Sequence, residues 1–202
     1  VDDEPLIRMS LSSKVESFDE RVVVAGTAGD GAEALEWLSG HFADLCVTDV
    51  KMPVMNGIEL IERMKGQFPW MSAVVVSSYD EFEYAKTCLR YGAVDYIIKP
   101  IDQEQLNDAL SRAAASIAES RSRDAAMLLM QRLPHDRGLM RRWVELVQTV
   151  QADKMPLLVV DTLELLESWA EETFHLLHPL AMAWLRLVGE QLKREKFEHI
   201  RL

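Results

Sequence analysis

Short apolar runs alternate with amphipathic stretches along the first hundred residues. Residues 21–25 (RVVVA), 45–49 (LCVTD), 73–76 (AVVV) and 96–98 (YII) are rich in β-branched side chains and bounded by Gly, Asp, Ser or Pro. Such runs predict buried strands. Between them, apolar positions recur at helical spacing over residues 6–16, 31–39, 58–65, 81–91 and from Gln103 onward. Alternation of this kind implies an α/β fold, a parallel sheet covered by helices on both faces.

The second half has a different rhythm. Seven of the nine glycines lie before residue 93, and the remainder of the chain reads as helix. Residues 103–132 contain neither Pro nor Gly and predict one long helix. Its apolar spacing (Leu106, Leu110, Ala113, Ile117) weakens at Ser120 and Asp124, which limits any coiled coil. Asp136 is placed to cap a helix to about residue 152, Pro156 to open another to about 177, and Pro179 a third through 197. Residues 157–160 (LLVV) also fit a strand. The stripe Leu139, Trp143, Leu146, Val147, Val150 reads as core, as do Trp169 and Trp184. The expected division is an α/β domain over residues 1–122 and a small all-α domain over 123–202.

Composition narrows the function classes. The 202 residues are 49% hydrophobic and 27% charged, enough to bury a core. No apolar run approaches the roughly 18 residues of a membrane span, and the start has no basic-then-apolar leader. A cytoplasmic protein without a membrane partner is expected. Cys46 and Cys88 both lie in apolar patterns, which argues against a disulfide framework. The net charge is −11, with 22 basic against 33 acidic side chains. Residues 1–132 carry most of that excess. Nucleic-acid surfaces are usually basic, so specific DNA binding by these residues is not expected.

In doubly wound sheets, sites gather at the carboxyl ends of the strands. The residues just past the apolar runs are Asp2 and Asp3, Asp49, Ser77, and Lys99-Pro100. Taken singly, each has a plain reading: Asp3 as a helix cap, Ser77-Ser78 as a polar loop, Lys99 as a solvated lysine. Together they matter more. Three carboxylates on one rim repel each other and are costly to bury unpaired. A hard divalent cation with few protein ligands, Mg²⁺, and one ammonium resolve that conflict.

The set Val1-Asp2-Asp3-Glu4-Pro5, Asp49-Val50-Lys51-Met52-Pro53 with Met55-Asn56-Gly57, Ser77, and Tyr96 through Pro100 (YIIKP) resembles the receiver domain of two-component response regulators. The resemblance covers roughly residues 1–122. It implies a flavodoxin-like, five-stranded parallel sheet of order 2-1-3-4-5. It also implies roles. Asp49 would accept a phosphoryl group from a sensor histidine kinase, and Asp3, Asp49 and the Lys51 backbone carbonyl would hold Mg²⁺, with Asp2 acting through water. Lys99 would neutralise charge on the phosphoryl oxygens, and Ser77 would hydrogen-bond one of them. Tyr96 would be the aromatic switch, and the Lys99-Pro100 bond would be cis. Phosphorylation would favour a homodimer through helix 81–91, the strand at Tyr96 and the helix from Gln103.

Residues 77–85 (SSYDEFEYA) resemble one branch of that family, the receivers of AraC-type transcriptional regulators, except that Ser78 stands where Gly is commoner. That branch implies transcriptional control through a DNA-binding domain absent from these residues, with 133–202 as a helical connector. Two other readings compete. One is a receiver with a helical protein-interaction output. The other is a phosphohydrolase with Asp49 as nucleophile, against which Lys51 stands where a general-acid Asp is needed. The chain opens at Val1-Asp2-Asp3, the expected end of a central strand, so earlier residues are expected in the folded molecule. Gly26, Gly29 and Gly31 read as a strand-to-helix turn needing positive φ rather than a phosphate loop. His175 and His178 read as surface histidines rather than ligands.

Overall fold

In a computed structural model, the described residues are all except 79–81, 136, 150, 172 and 199–202; the side chains of 82, 83, 135, 137, 152 and 195–198 are also outside the description. The chain forms two compact units, Val1–Ala118 and Glu119–Leu202. The first holds helices α1 (Pro5–Glu16), α2 (Gly31–Gly40), α3 (Gly57–Gln67) and α4 (Phe82–Arg90), with strands β1 (Leu45–Thr48), β2 (Ser72–Ser77) and β3 (Ala93–Ile98). Helix α5 (Gln103–Arg132) is unbroken over thirty residues, and α6 (Arg137–Gln148), α7 (Met155–Trp169) and α8 (Leu177–Glu198) follow.

The three strands are parallel in the order β1-β2-β3. Leu45 pairs with Ser72 and Thr48 with Val75, while Val75 faces Tyr96 and Ser77 faces Ile98. Val74, Val75 and Val76 are all essentially fully buried, as a strand covered on both faces requires. Two clusters flank this sheet. Val74, Val76 and Ile97 pack with Leu11 of α1 and with Leu106, Leu110 and Ala113 of α5. Val50, Ile61, Ala73, Val75, Cys88 and Ala93 form the other, with Tyr84 and Tyr96 against it.

Residues 21–25, expected as a strand, are not one. A strand needs a ladder, but the described backbone bond within this run is local, Val22 N–H to the Asp19 carbonyl at 2.9 Å, and Asp2 N–H reaches the Ala28 carbonyl beyond it. Val23 is consequently 77% exposed. The glycines at 26–31 also differ from expectation, since among described glycines only Gly92 has positive φ. Close approach explains them instead: a Cβ at Gly26 would lie 2.7 Å from Trp37, and one at Gly31 2.8 Å from Met55. The expected Asp136 cap and Val150 fall outside the described residues, as does Glu81, the first residue expected for the helix at 81–91.

In the second unit, α6, α7 and α8 enclose Trp143, Leu158, Leu166, Trp169, Leu180, Trp184 and Val188, joined by Ala125 and Leu129 of α5. Residues 157–160 are helical, not a strand. Pro156 starts the helix without losing a needed N–H, and Leu158, Thr162, Leu166 and Trp169 then fall on one buried face. One buried polar chain is satisfied here: Trp143 Nε1 donates to Thr162 Oγ1 at 2.7 Å, and that hydroxyl donates to the Leu158 carbonyl at 2.6 Å, whereas Trp184 Nε1 in the same core has no hydrogen-bond partner among the described residues. No helix among the described residues is long and apolar enough to cross a membrane.

Candidate functional site

The first two residues are built into the sheet end. The Val1 amine donates to the Val47 carbonyl at 2.6 Å, and Asp49 N–H donates to the Val1 carbonyl at 2.9 Å. These bonds hold Asp2 beside Asp49. Asp2 is 1% exposed and Asp49 8%, so both carboxylates are buried at the rim. Asp3 is exposed, and α1 is entered through Glu4 without a side-chain cap, so Asp3 is not the helix cap. One oxygen from each of Asp2, Asp3 and Asp49 lies within 4.8 Å of the others, the one such cluster found among the described residues. His175 and His178 belong to none.

Lys99 answers the charge of this cluster. Its Nζ donates to Asp2 Oδ2 at 2.8 Å and to Asp49 Oδ2 at 2.7 Å. Burial alone would lower the pKa of this ammonium, but hydrogen bonds and attraction from Asp2 and Asp49 outweigh it and raise the pKa above the usual lysine value. The lysine reaches the carboxylates because β3 ends at Ile98 and Lys99 N–H donates to the Ser77 carbonyl at 2.8 Å. The next peptide bond, Lys99-Pro100, is cis.

The other expected residues take stations around this pair. Ser77 ends β2 and is fully buried. Tyr96 faces Val75 across the sheet and packs, half-buried, on the same cluster as Tyr84 of α4. Lys51 follows Asp49 by two residues, and its Nζ lies 5.8 Å from the centre of the Tyr84 ring. Asp49 Oδ1 accepts the Val50 N–H at 2.5 Å, leaving Oδ2 on Lys99. The loop carrying Lys51 is tight: Met55 N–H donates to the Pro53 carbonyl at 2.6 Å around Val54, whose φ is +60°.

One contributor escaped the sequence reading. Arg8 NH1 donates to the Asp2 carbonyl at 2.6 Å, fixing the backbone that carries the carboxylate. A cation in the first turns of a helix opposes the macrodipole, and that misplaced charge was the available signal. Gly57, part of the recognised motif, acts through its backbone. Its N–H donates to the Val50 carbonyl at 2.9 Å, and a Cβ there would sit 1.9 Å from the Asp49 carbonyl oxygen.

Three clustered carboxylates, Asp2 and Asp49 buried and Asp3 exposed, are oxygen donors that fit a hard divalent cation. The same rim leaves a carboxylate oxygen beside an ammonium, an arrangement suited to carrying a phosphoryl group.

The family model "Response regulator receiver domain" matches residues 1–111. The transcriptional regulatory protein HptR of Staphylococcus aureus is 34% identical over 127 residues, which are 63% of this chain and 50% of that protein. An uncharacterized response regulatory protein of Staphylococcus epidermidis is 38% identical over 109 residues, 54% of this chain and 43% of its own length. The chain thus spans about half the length of the curated relatives it matches. Among solved structures, a CheY-like receiver domain protein from Methanospirillum hungatei is similar with TM-score 0.54 and 28% identity, over 59% of this chain and 93% of that one. The CheX-CheY-BeF3-Mg complex of Borrelia burgdorferi is similar with TM-score 0.51 and 26% identity, over 54% and 81%.

Proposed function

The chain belongs to the response regulator receiver domain family, and from that membership we propose that it is a phosphorylation-controlled switch with Asp49 as phosphoacceptor. The observation that carries this reading is the Lys99 ammonium held between Asp2 and Asp49 at 2.8 and 2.7 Å. Receivers as a family act with histidine kinases. Here the Asp49 carboxylate attacks the phosphorus of a kinase phosphohistidine. The P–N bond breaks, its electron pair returns to the imidazole, and an acyl phosphate forms on Asp49.

Asp3, Asp49 and the Lys51 carbonyl are the groups to hold Mg²⁺, with Asp2 acting through water; the ion, when bound, neutralises charge on the phosphoryl oxygens. Lys99 contributes the second positive charge, already placed at Asp49 Oδ2. The Ser77 hydroxyl donates to a phosphoryl oxygen, and Tyr96 turns inward behind it, reshaping the face made by α4, β3 and α5. That face then forms a homodimer.

β1, β2 and β3 correspond to the third, fourth and fifth strands of the five-stranded sheet of order 2-1-3-4-5. Val1–Asp2 stand at the end of its first strand, supported by their bonds to Ala28 on one side and Val47 and Asp49 on the other. Similarity to HptR, a transcriptional regulatory protein, supports an output on transcription. We place the chain in the AraC-type branch, with the helical unit as connector and DNA contact made by a domain outside these residues. The chain itself turns over no separate substrate. Beryllofluoride, a phosphoryl mimic, tests the site: with Mg²⁺ it binds one per chain, and Asp49→Ala abolishes binding. Undiminished binding to that variant refutes the assignment.

A further inference from the structure

Three carboxylates meet at the rim, but they are not held alike. Asp49 is fixed by the Val50 N–H on Oδ1 and by Lys99 on Oδ2. Asp2 is fixed by the Glu4 N–H, 2.9 Å from Oδ1, and by Lys99 on Oδ2. Asp3 is exposed, and among the described residues no hydrogen bond or ion pair holds its carboxylate. Its backbone must therefore place it. A peptide unit is planar, so holding the Asp2 carbonyl also fixes the Cα of Asp3. Arg8 is the residue that does so: its NH1 donates to that carbonyl at 2.6 Å, and no other described group does.

Arg8 has little other reason to stand where it does. A cation in the first turns of a helix opposes the macrodipole, and α1 has no acidic residue in its first turn to offset it. The side chain leans back toward the helix start and crosses Gly29, with NH1 3.6 Å from where a Cβ would stand. Glu33 Oε2 accepts the Gly29 N–H at 2.5 Å, so the crossed loop is itself fastened to α2.

We infer that Arg8 is a positioning residue for the divalent-cation site, which by gripping the Asp2 carbonyl aims the Asp3 carboxylate at the place it shares with Asp49. This role rests on the reading of Asp3 and Asp49 as the groups that hold Mg²⁺. Charge and positioning pull in opposite directions here. Through charge alone, loss of Arg8 would tighten cation binding, because one cation repels another. Through positioning, its loss weakens binding, and removal of such outer partners commonly costs about 10- to 100-fold in metal affinity.

Mn²⁺ takes the same oxygen ligands as Mg²⁺. Titrating it into the whole chain, with the free ion followed by electron paramagnetic resonance and then displaced by Mg²⁺, tests the role. Arg8→Met should weaken binding about tenfold. Arg8→Lys restores a donor on a stem of similar length and should recover most of that loss. In an Asp3→Asn chain, Arg8→Met should change the affinity by less than about twofold, because the ligand that Arg8 aims is gone. A variant that had merely lost its fold would bind less in both backgrounds. Equal or tighter binding by Arg8→Met, no recovery in Arg8→Lys, or an undiminished loss beside Asp3→Asn overturns the role of Arg8 and leaves the metal site standing. A parent chain with no Mn²⁺ that Mg²⁺ displaces overturns both.

Discussion

Lys99 Nζ and Asp49 Oδ2 are 2.7 Å apart although 50 residues separate them in the chain. The same ammonium lies 2.8 Å from Asp2 Oδ2, and the Lys99 side chain is only 11% exposed. One cation thus holds two buried carboxylates together. Removing it leaves them facing each other unpaired, a change that typically costs about 3–5 kcal/mol at buried pairs.

Lys99→Met should therefore lower the unfolding free energy in EDTA by about 3–5 kcal/mol. Millimolar Mg²⁺ should recover part of that loss, because a divalent cation at the same carboxylates offsets the same repulsion. Urea denaturation with and without Mg²⁺ measures both effects. Equal loss under the two conditions would show that Lys99 acts by packing alone.

The carboxyl-end rule made much of this site readable. Asp49, Ser77 and Lys99 stand at the ends of apolar runs, and such positions share a rim wherever the runs become parallel strands, whereas Asp2, preceded only by Val1, was readable through the resemblance. Arg8, and the role though not the identity of Gly57, were harder to see because both act on backbone atoms, and sequence patterning reports side-chain burial. Residues 21–25 have the composition of a strand but lack a ladder beside them, and pairing depends on partners rather than composition. The run 157–160 shows the reverse: strong β-formers become helical because Leu158, Thr162, Leu166 and Trp169 supply a helical period that a core can bury.

Gly57→Ala should be severely destabilising. Its Cβ would overlap the Asp49 carbonyl oxygen, a backbone atom that cannot swing aside. We expect a loss of about 3 kcal/mol or more, with reduced phosphoacceptor activity in whatever remains folded. Gly66→Ala is the control: nothing lies within 4 Å of its Cβ, and helix α3 should gain about 0.5–1 kcal/mol. Thermal melts of the two variants should move in opposite directions.

Thr162→Val keeps the shape of a buried side chain but removes the acceptor for Trp143 Nε1. An unsatisfied indole N–H should cost about 1–3 kcal/mol. Denaturation followed by tryptophan fluorescence measures this. A variant as stable as the parent would show that the Trp143 bond contributes nothing.

Cys46 and Cys88 are 7% and 0% exposed, and burial raises the pKa of both thiols. A raised folded-state pKa contributes stability that is whole below the unfolded thiol's pKa and is lost as pH rises through the folded value. Between pH 8 and 10 the parent should lose more stability than a Cys46→Ala, Cys88→Ala variant. Thiol reagents should label the parent only as it unfolds.

Phosphoryl transfer to Asp49 is the step on which the functional reading rests, and intact-mass measurement after incubation with Mg²⁺ and a small-molecule phosphodonor interrogates it without an intermediary. One added phosphoryl group is expected, labile to hydroxylamine as an acyl phosphate is, located on Asp49 by peptide mapping and missing from Asp49→Ala. A stable adduct on another residue, or an unchanged adduct on the Asp49→Ala chain, would contradict it.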